Sequence, residues 1–96
     1  MQRIAVIGAG NIGEALIAGL IRSGVEGEAV TATNRSSERS RELEERYGVR
    51  TTSDNAQAVR DADVAFLCVK PAQVLDVIGE LGDAVAGGET VLVSMA

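Results

Sequence analysis

Histidine is absent from the 96-residue chain. Imidazole metal sites and histidine-based general base catalysis are therefore excluded. A single cysteine, Cys68, permits neither an intrachain disulfide nor a thiolate zinc cluster, which suits a reducing cytosol. Tryptophan is also missing, and Tyr47 and Phe66 are the only aromatic residues, so a core must be aliphatic. Nine basic residues face fourteen acidic ones, for a net charge of −5. General affinity for nucleic acid or acidic membranes is not expected, and any anion site must be local. The opening MQRIAVIGAG reads as neither signal peptide nor membrane span. The length suits one domain, and the expectation is a soluble cytoplasmic protein without a metal site.

What is present is an alternation. IAVI (4–7), AVTAT (29–33), VAFLCV (64–69) and TVLVSM (90–95) read as strands, with a short candidate, VRT, at 49–51. Continuous aliphatic runs of this kind suit a parallel sheet covered on both faces. After the first strand, Ile12, Ala15, Leu16, Gly19 and Leu20 fall on one helical face, widened by Ile17 and Ile21, and Ser23-Gly24 stops the helix. A polar helix over 37–47 is anchored by Leu43 and Tyr47, with Glu42 and Arg46 spaced to pair, and ends at Gly48. A short helix from about Asp54 to Arg60 follows. A fourth starts at Pro71, with Val74, Ile78, Leu81 and Val85 as its apolar face and Gly87-Gly88 as its end. The order predicts an α/β protein: a Rossmann-like, doubly wound, mostly parallel sheet in three α/β/α layers.

Gly8-Ala9-Gly10-Asn11-Ile12-Gly13 matches G-x-G-x-x-G between a strand and a helix. That pattern serves a tight turn, close backbone approach to a pyrophosphate, and tight helix–strand packing. Backbone N–H groups at the helix start favour phosphate there. The plainer alternative is a glycine turn that only joins strand to helix, and the strand–helix context favours dinucleotide binding. Glu14, just inside the helix, should point away from a ligand.

About 20 residues beyond the last glycine, an NAD-binding unit carries an acid that accepts hydrogen bonds from the ribose. VTATNRSS (30–37) has none. Asn34 and Arg35 stand there instead, and a guanidinium suits the 2′-phosphate that a carboxylate would repel. Ser36 and Ser37 offer hydroxyls and can cap the next helix. The expected cofactor is NADP(H), with NAD(H) a weaker ligand.

With these residues in view, the chain resembles the N-terminal domain of pyrroline-5-carboxylate reductase over nearly its whole length. The likeness is carried by IGAGNIGEALIAGL (7–20), TNRS (33–36), SDNAQAV (53–59), DVAFLCVKP (63–71) and VSMA (93–96). It implies cofactor contacts at Gly8, Ala9, Gly10, Asn11, Ile12 and Gly13, at Asn34, Arg35 and Ser36, and at Asn55. It adds the backbone of Cys68, Val69, Lys70 and Pro71, with Ser94, Met95 and Ala96 near the nicotinamide half. Two of these have plain alternatives: Asn55 as a helix cap, and Lys70-Pro71 as a strand-to-helix joint. Cys68 reads as a buried thiol, no catalytic side chain is assigned, and Lys70 is at most an electrostatic contributor.

The resemblance further implies NADPH-dependent reduction of 1-pyrroline-5-carboxylate, a cyclic imino acid, to L-proline. In that family a C-terminal helical domain forms the dimer, or larger assembly, and most of the substrate pocket. None of it lies within these 96 residues, which are expected to bind cofactor without turnover. The glycine loop and NRS stretch are also similar to deazaflavin-dependent NADP oxidoreductases, and an isolated, non-catalytic nucleotide-binding module is a third reading.

Overall fold

The chain alternates strand and helix throughout. In a computed structural model that describes residues 2–86 and 90–95, the strands are β1 (Ile4–Ile7), β2 (Val30–Thr33), β3 (Arg50–Thr52), β4 (Val64–Leu67) and β5 (Val91–Ser94). The helices are α1 (Asn11–Arg22), α2 (Ser37–Tyr47), α3 (Asn55–Arg60) and α4 (Val74–Ala86). All four strand pairings are parallel, in the order β3-β2-β1-β4-β5. The order reverses between β1 and β4, and open sheets of this type bind ligands beyond the strand C-termini at that crevice.

Side-chain alternation along β1 explains the three layers. Ala5 and Ile7 join Val59 of α3, Leu67 of β4, and Val77 and Leu81 of α4 in one core. Ile4 and Val6 join Ile17 of α1, Val30 and Ala32 of β2, and Leu43 of α2 in the other. Each face of β1 thus carries two helices, which is why all four of its residues are buried. The doubly wound α/β expectation holds.

Several local expectations shift. β4 ends at Leu67 and β5 spans Val91–Ser94, both shorter than their apolar runs, and β3 starts one residue later than read, leaving Val49 as a buried lead-in. The buried face of α1 is rotated by one position. Gly13 and Ile17 are buried with Leu16, Leu20 and Ile21 packed alongside, whereas Ile12 is 56% exposed and Ala15 and Gly19 face outward. On α4, Val77 takes the place assigned to Ile78: Val77 and Leu81 are buried, while Ile78 is 42% exposed. Pro71 opens a short 3-10 turn, Pro71–Gln73, and α4 proper starts at Val74. Gly87-Gly88 and the Val85 side chain lie outside what the structure describes.

The Glu42–Arg46 pair does not form. Glu42 bonds Arg39 at 3.3 Å, and Arg46 turns to Glu14 of α1 at 2.7 Å. A less exposed carboxylate with several donors outcompetes an exposed pair along one helix surface, which is worth only a few tenths of a kcal/mol.

Candidate functional site: the strand C-terminal edge

The three loop glycines answer to three different constraints. Gly8 has φ +78°, and a Cβ there would lie 2.5 Å from Val69 Cγ1 and 3.4 Å from the Cys68 carbonyl oxygen. The turn leaving β1 thus presses on the segment leaving β4, across the topological switch. Gly13 is buried, and a Cβ would sit 3.3 Å from Ala9 Cβ, the Gly8 carbonyl and Val6 Cγ1. That contact seats α1 on the sheet. At Gly10, by contrast, nothing lies within 4 Å of an added Cβ. The space above it is open, and Gly10 is the N-cap of α1 with no side chain closing the helix end. The first intrahelical bond runs from the Glu14 N–H to the Gly10 carbonyl at 2.8 Å. The N–H groups of Asn11, Ile12 and Gly13 precede it, as the anion site at a helix start requires.

The end of β2 locks this loop. Thr33 is 2% exposed; its Oγ1 accepts from the Gly8 N–H at 3.0 Å and its carbonyl accepts from the Ala9 N–H at 2.7 Å. Asn34 Nδ2 donates to the Ala9 carbonyl at 2.9 Å, and Asn34 Oδ1 accepts from the Ser36 N–H at 2.8 Å. Ser36, rather than Ser37, caps α2, its Oγ accepting from the Arg39 N–H at 3.2 Å. The side chain of Asn34 thus ties the start of α1 to the start of α2. Arg35 projects from the apex of that turn, exposed and without an ion-pair partner among the described residues.

Thr33 was not among the residues singled out from sequence. The usable signal was a hydroxyl at the last position of an otherwise apolar strand, directly before the NRS turn. Thr33→Val keeps the shape and removes the acceptor for the partly buried Gly8 N–H. The expected loss is about 1–3 kcal/mol, visible as a lower thermal midpoint, with Thr33→Ser recovering most of it.

On the other side of the switch, the Cys68 N–H donates to the Ile7 carbonyl at 2.8 Å, one residue past the end of β4. Lys70 is extended (ψ 148°), as a residue before proline should be, and both Lys70 and Pro71 are exposed. Burial pushes the Cys68 thiol above its ordinary value, away from a reactive thiolate. Ser94 pairs with Leu67, and the Met95 N–H donates to the Leu67 carbonyl at 2.9 Å, which sets Ser94 and Met95 beside Cys68. Ala96 lies outside the described residues.

Asn55 stands apart. It is not the cap of α3; Asp54 is, accepting from the Gln57 N–H at 3.1 Å. Asn55 Nδ2 instead donates to Glu80 Oε2 of α4 at 2.9 Å. Ser53, Asp54, Asn55, Ala56 and Glu80 line an open cavity of about 430 Å³ that no glycine-loop residue reaches.

Glu14 points away from the open edge, as its position suggested. Its carboxylate receives the Tyr47 hydroxyl at 2.8 Å, Arg46 Nη1 at 2.7 Å, and a close contact from Arg39 Nη2. The Tyr47 hydroxyl first, then the two guanidinium groups, hold this carboxyl below its ordinary value of 4.5. A depressed carboxyl stabilises the fold above the unfolded-state value, and that contribution disappears as pH falls through the lower folded one. Thermal midpoints of wild type and Glu14→Gln should therefore differ at pH 7 and converge below about pH 4.5. Among the described residues no cluster of acidic or cysteine ligands could hold a metal, and no helix is long and apolar enough to cross a membrane.

A sequence family described as NADP oxidoreductase, coenzyme F420-dependent, matches residues 3–96. The pyrroline-5-carboxylate reductase of Corynebacterium melassecola is 47% identical over 98 aligned positions, covering 100% of this chain and 36% of that protein. The structure of a pyrroline-5-carboxylate reductase from Coxiella burnetii superposes with a TM-score of 0.93 at 37% identity, covering 99% of this chain and 35% of that one. An imine reductase from Streptomyces aurantiacus gives a TM-score of 0.80 at 27% identity, covering 99% of this chain and 32% of that one. The chain spans about a third of the length of these relatives. They bear out the resemblance carried by the glycine loop, the TNRS turn and the VKP joint. With a glycine loop opening α1, an acid-free turn opening α2 and a match over residues 3–96, the chain belongs to the NADP oxidoreductase, coenzyme F420-dependent, family.

Proposed function

We propose that this chain is the NADP(H)-binding part of a pyrroline-5-carboxylate reductase, an enzyme that reduces 1-pyrroline-5-carboxylate to L-proline. The observation that carries the reading is the pair of helix starts joined by Asn34: one open above Gly10, the other capped by Ser36 and flanked by Arg35, which has no ion-pair partner among the described residues. The residues fit the ligand. Gly10 leaves room for close approach, so the N–H groups of Asn11, Ile12 and Gly13 would hold the pyrophosphate, with Gly8 and Ala9 shaping the turn. Arg35 and the Ser36 hydroxyl would hold the 2′-phosphate, with no carboxylate in the Asn34–Ser36 turn itself to oppose it. The backbone from Cys68 to Pro71 and the Ser94–Ala96 end would line the nicotinamide half. Asn55 would join by exchanging its bond to Glu80 for the adenosine.

The chemistry supplied by bound NADPH is hydride donation to the C=N carbon of the protonated imine. This domain's share is to orient and to shield, which needs no side-chain base. The pocket for the cyclic imino acid, and the dimer or larger assembly, would belong to the remaining two thirds of such a protein. Its compartment would be the cytoplasm, in keeping with a lone reduced thiol. A second reading, hydride exchange between NADP and a deazaflavin, is supported by the description of the matching family.

Titration of the chain with NADPH and NADH, followed by assay with 1-pyrroline-5-carboxylate, tests the proposal. Tighter binding of NADPH, without turnover by these 96 residues, is expected. Equal or tighter binding of NADH would refute the assignment of the α2 start to a 2′-phosphate.

A further inference from the structure

The glycine loop and the NRS turn account for the open edge, but not for the carboxylate beneath it. Glu14 sits in the first turn of α1, where a negative charge so near a phosphate site calls for an explanation. Its side chain is only 18% exposed and takes three donors, all from α2. Arg39 lies in the first turn of α2, and its backbone N–H is the one capped by Ser36. Arg46 and Tyr47 lie in the last turn, seven and eight residues on, which is the same helix face. One carboxylate on α1 thus grips α2 near both ends. Tyr47, like Leu16 of α1, also packs against the core that contains Ile17 and Leu43, so the grip is backed by apolar contact.

We infer that Glu14 is a positioning residue that fixes the start of α2 relative to the start of α1, and so selects ligands carrying both a diphosphate and a 2′-phosphate. This rests on the proposed reading of those two helix starts. A ligand that spans both must find them at one separation and one angle. A ligand that touches a single start is indifferent to their relation. The Asn34 amide sets the same relation through the loops, and Glu14 sets it through the helix bodies. Paired with two guanidinium groups, the Glu14 charge is directed away from the phosphates it would otherwise repel.

The distinction between spanning and single-site ligands supplies the test. Binding of NADPH, of ADP (diphosphate alone) and of 2′-AMP (2′-phosphate alone) would be followed by nuclear magnetic resonance titration. The variants are Glu14→Ala and Tyr47→Phe, the latter removing one donor while keeping the ring. Glu14→Ala is expected to weaken NADPH about tenfold while ADP and 2′-AMP stay within about twofold, because linking two weak contacts rewards only a matched geometry. Tyr47→Phe should show the same pattern at about threefold, the loss of one hydrogen bond to a charged group being partly made good by the two guanidinium groups.

If NADPH and both fragments weaken in parallel, or if NADPH is unchanged or tighter in both variants, the positioning role is overturned. A wild-type chain that binds ADP but not 2′-AMP overturns the 2′-phosphate reading itself, and this inference falls with it. The two failures therefore differ already in the wild-type titration.

Discussion

Gly8→Ala is expected to destabilise the domain by roughly 2–5 kcal/mol. About 1–2 kcal/mol of that comes from forcing a Cβ-bearing residue into left-handed backbone, and about 1–3 kcal/mol from overpacking. Both components are visible: φ is +78°, and the added methyl would meet Val69 Cγ1 at 2.5 Å. In a domain of this size each kcal/mol moves the thermal midpoint by about 4–8 °C, so the fall should be at least about 8 °C. Gly8→Ala/Val69→Ala separates the two components. It should return the overlap and leave the backbone strain, giving a partial recovery. Gly10→Ala is the contrasting case. Open space surrounds that position, so the thermal midpoint should barely move, while a methyl there would fill the approach to the α1 start and weaken NADPH binding. If Gly8→Ala melts like wild type, or if Gly10→Ala binds like it, the separation of fold-bearing from ligand-facing glycines fails.

Arg35→Ala should weaken NADPH by about one to two decades and leave NADH nearly unchanged. Hydrogen bonds to charged groups are worth ~1.5–3 kcal/mol, and each ~1.4 kcal/mol is a factor of ten. Because Arg35 is exposed and unpaired among the described residues, its removal breaks no ion pair and should leave the thermal midpoint unchanged. Arg35→Lys keeps the charge without the planar fork and should fall between the two. Calorimetric titration with both cofactors decides the matter, and equal losses for NADPH and NADH would reject the role given to Arg35. Raised salt should also narrow the gap between the cofactors, since the contact is exposed to screening.

The elements whose burial is all-or-none were legible in the sequence. β1 is apolar at every position because helices cover both faces, and the glycine spacing and the acid-free NRS turn are local features that need no tertiary knowledge. Helix register was not. On α1 the true stripe begins at Gly13, which has no side chain to register as apolar, so the pattern read one position early, from Ile12. On α4, Leu75, Val77 and Ile78 are all apolar, and only contact with β1 and β4 selects Val77 over its neighbours. Polar side chains escaped the reading for a related reason. Thr33 looked like any β-branched strand residue, and Glu14 finds partners 25 to 33 positions away that no sequence window contains. Asn55 missed the cap because Asp54, one residue earlier, already occupied it.

The clamp that Thr33 places on the loop divides it into halves that should trade protons with heavy water at different speeds. Gly8 and Ala9 are tethered by N–H bonds to a buried strand end, so their deuterium uptake should wait for a larger opening of the sheet. Asn11 and Ile12, exposed and ahead of the first helical bond, should label almost at once. Saturating nucleotide would slow the second pair and leave the first as it was, so uptake at Asn11 and Ile12 becomes a direct gauge of occupancy.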